Sequence, residues 1–196
     1  MDKIKEQNRI SQLLPAGVSP NDPNIEFVGE KDNKTVLWIQ YGKTHPFTDL
    51  PSKYYTKLKE AYSNDPAAVV SLSDLNVGIR REVELYTYYI YGDLDTTPDI
   101  KDGELQPSEN FRDTLDCLSL QWESKNIDFE GKIITTRQLR ILDLIARDLP
   151  DKAIAHEMGI AQSTLDHHKK VLFKALNSSN KTTAMLTAVK AKIITP

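Results

Sequence analysis

The stretch Asp166-His167-His168-Lys169-Lys170 sets a carboxylate, two imidazoles and two ammonium groups side by side. If the segment is helical, positions 166, 167 and 170 share one sector of its surface. An ionised carboxylate there only accepts hydrogen bonds and a lysine only donates them, so the sector suits a surface patterned with donors and acceptors. The segment lies within DKAIAHEMGIAQSTLDHHKKVLFKAL, residues 151–176, which reads as two short helices broken at Met158-Gly159-Ile160. A turn of that kind commonly presents its second helix to DNA. Asp166 is then the odd residue, because it repels phosphate. It can accept from N4 of cytosine, or serve the amino end of its own helix, where negative charge is favourable.

Other chemistries have weaker support. His45, Asp49 and Tyr41 could be drawn together on paper, but no Gly-rich phosphate loop, nucleophile elbow or His-Glu-x-x-His pattern accompanies them. His167 and His168 are adjacent and so lie on different faces of a helix, which prevents them from jointly holding one metal. Asp93, Asp95, Thr97, Asp99 and Glu104 fall on the ligand positions of a calcium loop. Pro98 occupies the place that needs glycine and Lys101 brings a cation into the cage, so the stretch reads as a solvated acidic loop. Cys117 is the only cysteine, which excludes an intrachain disulfide and a cysteine zinc cluster. No catalytic residue, metal or cofactor is expected, and the chain does not read as an enzyme.

The charge balance supports a nucleic-acid-binding end. Residues 1–130 hold 14 Lys and Arg against 23 Asp and Glu, a net of −9, whereas residues 131–196 hold 11 against 5, a net of +6. A change of sign between the two parts predicts two domains, of which the second can approach a polyanion. At 196 residues, with 39% hydrophobic and 27% charged residues, the composition is that of a soluble globular protein. No apolar run approaches the roughly 20 residues of a membrane span, and the start Met1-Asp2-Lys3-Ile4-Lys5-Glu6 has no apolar stretch behind its charges. A cytoplasmic location with no membrane partner is expected.

The positioning elements follow from periodicity. Ile25–Val28 and Thr35–Tyr41 are β-branched and aromatic around a polar turn, a hairpin signature. Lys53–Tyr62, Ala67–Leu72 and Leu75–Tyr91 have helical spacing, the last with Ile79, Val83, Tyr86 and Ile90 on one stripe. The tyrosines at 86, 88, 89 and 91 read as packing residues rather than a ligand cage. Thr135 and Gln138 form a capping box before Leu139, Ile141, Leu142 and Ile145, with Ala146 expected on the buried stripe. Helices over Lys152–Met158, Gln162–Leu176 and Lys181–Ile194 follow. The expected fold is an α+β N-terminal domain over 1–115, a linker over 116–130, and an all-α four-helix domain over 131–196.

Residues 134–194 resemble the LuxR/NarL-type helix-turn-helix domain. The family's L-T-x-R-E, N-K-E-I-A, L-G-I-S, T-V-x-x-H and K-L-x-V-x-N-R-T are met by Ile134–Gln138, Asp151–Ala155, Met158–Ala161, Thr164–His168 and Ala175–Thr182. The match covers about a third of the chain without a gap. Asp166, Ala161 and Asp148 depart from it, standing where a frequently basic residue, a Ser cap and a helix-ending Gly are usual. The N-terminal part carries no recognised family signature and lacks the alternating βα pattern of a phosphorylated receiver.

The resemblance implies a transcriptional regulator that binds double-stranded DNA as a homodimer. The third helix would enter the major groove. Lys152, Gln162, Ser163, Thr164, Asp166, His167, Lys169, Lys170 and Lys174 are the implied DNA-binding residues, and Met185, Ala188, Val189 and Lys192 the implied dimer contacts. RNA polymerase is a further candidate partner, and the N-terminal domain would sense an unknown ligand or dock a protein. Two alternatives are a sigma-factor-like subunit, which shares the turn pattern, and a protein adaptor that uses the helix-turn-helix for protein contacts.

Overall fold

The computed structural model describes residues 14–108, 112, 114, 117–191, 193 and 194. By compactness the chain divides into residues 1–113 and 114–196. Taken over the whole chain the fold is mixed α+β.

The first unit opens with an antiparallel meander, β1 (Glu26–Glu30), β2 (Thr35–Gln40) and β3 (Lys43–Pro46), in the order β1-β2-β3. Phe27 pairs with Trp38, and Trp38 in turn with His45. The expected strand stops short of Tyr41 because Tyr41 and Gly42, at φ 51° and 73°, form the two-residue turn into β3. Positive φ at both central residues matches the right-handed twist of the flanking strands. His45 stacks on Trp38 at 4.3 Å, which gives that histidine a packing role.

Helices α1 (Ser52–Ser63), α2 (Pro66–Ser73) and α3 (Ile79–Tyr91) follow. Asp65 caps α2, its carboxylate accepting from the amides of Ala67 and Ala68. The third helix starts at Ile79 rather than Leu75, after a turn with Asn76 and Gly78 at positive φ. Its last two turns are buried on every side, between β1 and β2 and the helices α1 and α2. Tyr86, Tyr88, Tyr89 and Tyr91 are all in that core. Gly29 permits the contact with β1: a Cβ there would lie 2.8 Å from the Tyr88 ring. The acidic loop is absorbed by the fold at two points. Asp99 is buried and accepts from the Phe27 amide at 2.7 Å, and Glu104, in the short hairpin of β4 (Ile100–Lys101) and β5 (Glu104–Leu105), pairs with Lys57 at 2.8 Å.

The second unit is not all-α. Two 3-10 turns, Leu118–Gln121 and Glu123–Lys125, and a hairpin of β6 (Ile127–Phe129) and β7 (Lys132–Ile134) precede its helices. The stretch expected to be a linker over 116–130 thus holds regular structure where it is described. Its Trp122 is completely buried, and the first 3-10 turn packs on the helix that follows the hairpin. A buried indole of that size needs a core around it, which a solvated linker cannot offer.

Four helices follow: α4 (Thr136–Ala146), α5 (Asp151–Glu157), α6 (Gln162–Ala175) and α7 (Lys181–Lys190). The Thr135–Gln138 capping box is present at the start of α4. Ile141, Leu142 and Ile145 are buried as expected, but Ala146 is exposed, and Leu139 and Leu144 complete the stripe. Three successive helices end in the same way. Asp148, Gly159 and Asn177 stand at φ 56°, 63° and 50°. The next amide in each case donates back five residues: Leu149 to Leu144, Ile160 to Ala155 and Ser178 to Phe173. This left-handed stop satisfies the orphan carbonyls, and Asp and Asn tolerate it better than most residues with a Cβ. Asp148 therefore fills the role of the glycine it replaces. Helix α7 ends at Lys190, and the buried Ile193 and Ile194 come from beyond its end.

Candidate nucleic-acid interface

Helix α6 is seated by Leu165, Leu172, Ala175 and Leu176, all buried against α4, α5 and β7. Those residues recur on one stripe, so the opposite face must be solvent-exposed. Gln162, Ser163, Thr164, Asp166, His167, Lys170 and Lys174 are exposed along that face. Lys152, second in α5, is exposed as well. Ala161 precedes α6 and offers no side-chain cap, so no side chain covers the first amides of this helix.

Asp166 lies one residue beyond the first turn of α6, and that turn contains no acidic residue. It makes no hydrogen bond or ion pair among the described residues. An open groove of about 530 Å³ runs along α6 from Asp166 past Lys169, Lys170 and Lys174 to Ser178 and Ser179. The carboxylate and the ammonium groups face one shared depression.

Not every expected residue faces outward. The Lys169 amine meets the Asp151 carboxylate at 2.6 Å, and its side chain is only 17% exposed. Its amine is engaged with α5, while the residue still lines the groove beside Lys170 and Lys174. His168 is half-buried and its ring lies 6.2 Å from that of His167. Burial first, then the charges of Arg137 and His167, hold its pKa below the usual histidine value. Among the expected dimer contacts, Ala188 must be corrected: it is completely buried in this unit's own core. Met185 is partly buried against the same core, and Lys192 lies outside the described residues. Val189 is exposed, and so is Leu186, three residues earlier and absent from the expected set.

Three further residues belong to the region and were not expected. Asp151 binds Lys169, Arg137 bears on His168, and Lys132 donates to the Lys174 carbonyl at 3.2 Å, satisfying the C-terminal end of α6. In the sequence Lys132 and Arg137 counted toward the basic excess, and Arg137 and Asp151 stood in the family register, but no spacing pointed to these contacts. Among the described residues no group of three His, Cys, Asp or Glu side chains could hold a metal.

The model of a family described as bacterial regulatory proteins, luxR family, matches residues 132–188. Residues 132–188 are a LuxR-family helix-turn-helix domain. The matched span takes in the hairpin strand β7, all of α4, α5 and α6 and most of α7, so the groove and its lysines lie inside it. The LuxR-family domain implies a DNA-binding regulator of transcription. No curated protein and no solved structure matches the chain. Among the described residues, no helix is long and apolar enough to cross a membrane.

Proposed function

We propose that the chain is a sequence-specific regulator that binds duplex DNA as a homodimer. Helix α6 occupies the major groove, and residues 1–113 sense a ligand or dock a protein. The observation that carries this reading is the exposed sector of α6, where Asp166, His167, Lys170 and Lys174 stand clear of the core within a LuxR-family domain. Lys170 can donate to O6 and N7 of guanine, and Asp166, one turn earlier, can accept only from an amine such as N4 of cytosine. Lys152 and the amides at the start of α6 suit phosphates, since the amino end of a helix favours anions.

Dimerisation through α7 is supported by Leu186 and Val189, which are 54% and 37% exposed on adjacent turns. A modest basic excess binds weakly by itself, and two copies double the phosphate contacts. Selection of duplexes from a random pool by the full chain, followed by salt titration, tests the reading. Enrichment of a two-fold symmetric sequence, with affinity falling steeply as salt rises, is expected. No enrichment at low salt refutes it and favours a protein adaptor. Val189→Glu should lower affinity for the enriched duplex by placing like charges across the seam, and sedimentation showing wild type bound as a monomer removes the dimer.

A further inference from the structure

One contact of α6 is left unused by DNA reading. Lys169 reaches back 18 positions to Asp151, the first residue of α5, at 2.6 Å. We propose that Asp151 and Lys169 form a brace setting the seat of α6 on α5, so that Lys169 is a positioning residue and not a phosphate contact. The proposal rests on the reading of α6 as the DNA-reading helix.

The geometry gives the brace something to hold. Helices α5 and α6 are joined through Met158–Ala161, with Gly159 at φ 63° and no side-chain cap on α6. The linking turn closes α5 with backbone hydrogen bonds but puts no side-chain cap on the start of the second helix. The apolar seam under it, with Ile154, Ala155 and Leu165, resists separation but is non-directional. A short charge-assisted hydrogen bond at the rim of that seam adds direction. Asp151 sits in the first turn of α5, where the helix amides favour a carboxylate, so the anion is held on the α5 side and the lysine comes to it. The Lys169 side chain is 17% exposed and that of Asp151 41%, so the lysine end of the pair is the one sheltered from salt. Lys169 also lies between Asp166 and Lys170 in the chain, so a tilt of α6 there moves both groove groups together. By contrast, Lys170 and Lys174 are exposed and carry no acidic partner among the described residues.

The test uses the full chain with two probes, a duplex enriched by wild type from a random pool and a mixed-sequence duplex. Lys169→Met and Asp151→Asn should each reduce the preference for the enriched duplex by about fivefold, the low end of what one base contact discriminates. The salt slope of Lys169→Met should match wild type, whereas loss of a phosphate contact lowers it by about 0.9. The swapped pair Asp151→Lys with Lys169→Asp should recover part of the preference, because a cation at the start of α5 opposes the helix dipole. A slope reduced by about 0.9 with preference intact overturns the brace. A double-mutant cycle on unfolding examines the pair without DNA: coupling is expected, and its absence counts against the brace. Failure of wild type to enrich any duplex defeats the DNA-binding reading instead, a result distinct from a missing coupling.

Discussion

Helices α3 and α6 look alike as sequence patterns, each an amphipathic stripe followed by a crowd of polar or aromatic groups, yet the fold uses them in opposite ways. In α3 the crowd turns inward. Tyr86, Tyr88, Tyr89 and Tyr91 are all buried, the Tyr91 hydroxyl donates to the Gln106 carbonyl, and the Tyr89 hydroxyl accepts from Lys34. In α6 the crowd turns outward, and Asp166, His167, Lys170 and Lys174 stay in solvent. A helix whose last turns are covered on all sides serves as the core of its unit, and one covered on a single side has a face to offer a partner. Only the second kind makes a functional reading possible, and that is why the C-terminal unit yields one and the central helix of the N-terminal unit does not.

The largest expected effect concerns the single seam that holds α6. Leu172 is fully buried in that seam, and Leu172→Ala should destabilise the C-terminal unit by about 2–5 kcal/mol. The chain has two tryptophans, Trp38 in the first unit and Trp122 in the second. Denaturant unfolding followed by Trp122 emission in a Trp38→Phe background reads this directly. A loss under 1 kcal/mol would show that α6 is held by something other than its apolar stripe.

The buried helix has its own weak point. Gly29→Val puts a side chain where a Cβ would already lie 2.8 Å from the Tyr88 ring. Overpacking of this kind costs about 1–3 kcal/mol, to be read from Trp38 emission in a Trp122→Phe background. An unchanged midpoint would mean that the strand and α3 can separate freely, and the contrast between the two helices would fail.

Asp166→Asn sharpens the outward-facing side of the comparison. It keeps shape and removes charge, so binding to arbitrary duplex should tighten while preference at one base pair shifts from cytosine toward adenine, a change of about 1–3 kcal/mol in discrimination. Selected pools with identical preferences at every position would retire Asp166 as a base reader. Thermal stability should be unaffected, because Asp166 makes no cap.

The smallest effect is a pH dependence confined to the C-terminal unit. The folded pKa of His168 is held below its usual value of 6.5, so the unfolded chain binds the proton more readily. Stability is then complete above about pH 6.5 and declines as pH falls from there toward the lowered folded value. His168→Gln should flatten the melting temperature of this unit across that window. A profile for the variant that parallels wild type would assign the slope to other groups.

Much of this was legible in the sequence because it depends on near neighbours. The capping box at Thr135 and Gln138, the turn at Gly159, the buried stripe of α6 and the β1–β2 hairpin are all written in spacings of a few residues. The sign change in charge and the uninterrupted family register located the nucleic-acid-binding end. The boundaries of individual elements were less legible, as at Leu75–Gly78, where left-handed residues delay α3, and at Ile193 and Ile194, which are buried beyond the end of α7.

What the sequence determined, then, is the set of elements and the identity of the C-terminal domain, because helix stops, caps and periodicity act over a turn or two. Tertiary structure alone decided which polar groups remain available. It gave Lys169 to Asp151, 18 residues away, took Ala188 into the core, and left Leu186 outside. It also buried Trp122 in a stretch whose polarity suggests a linker. Each of these outcomes depends on the distance between groups remote in the chain, and spacing along a sequence carries no such distance until the helices have packed.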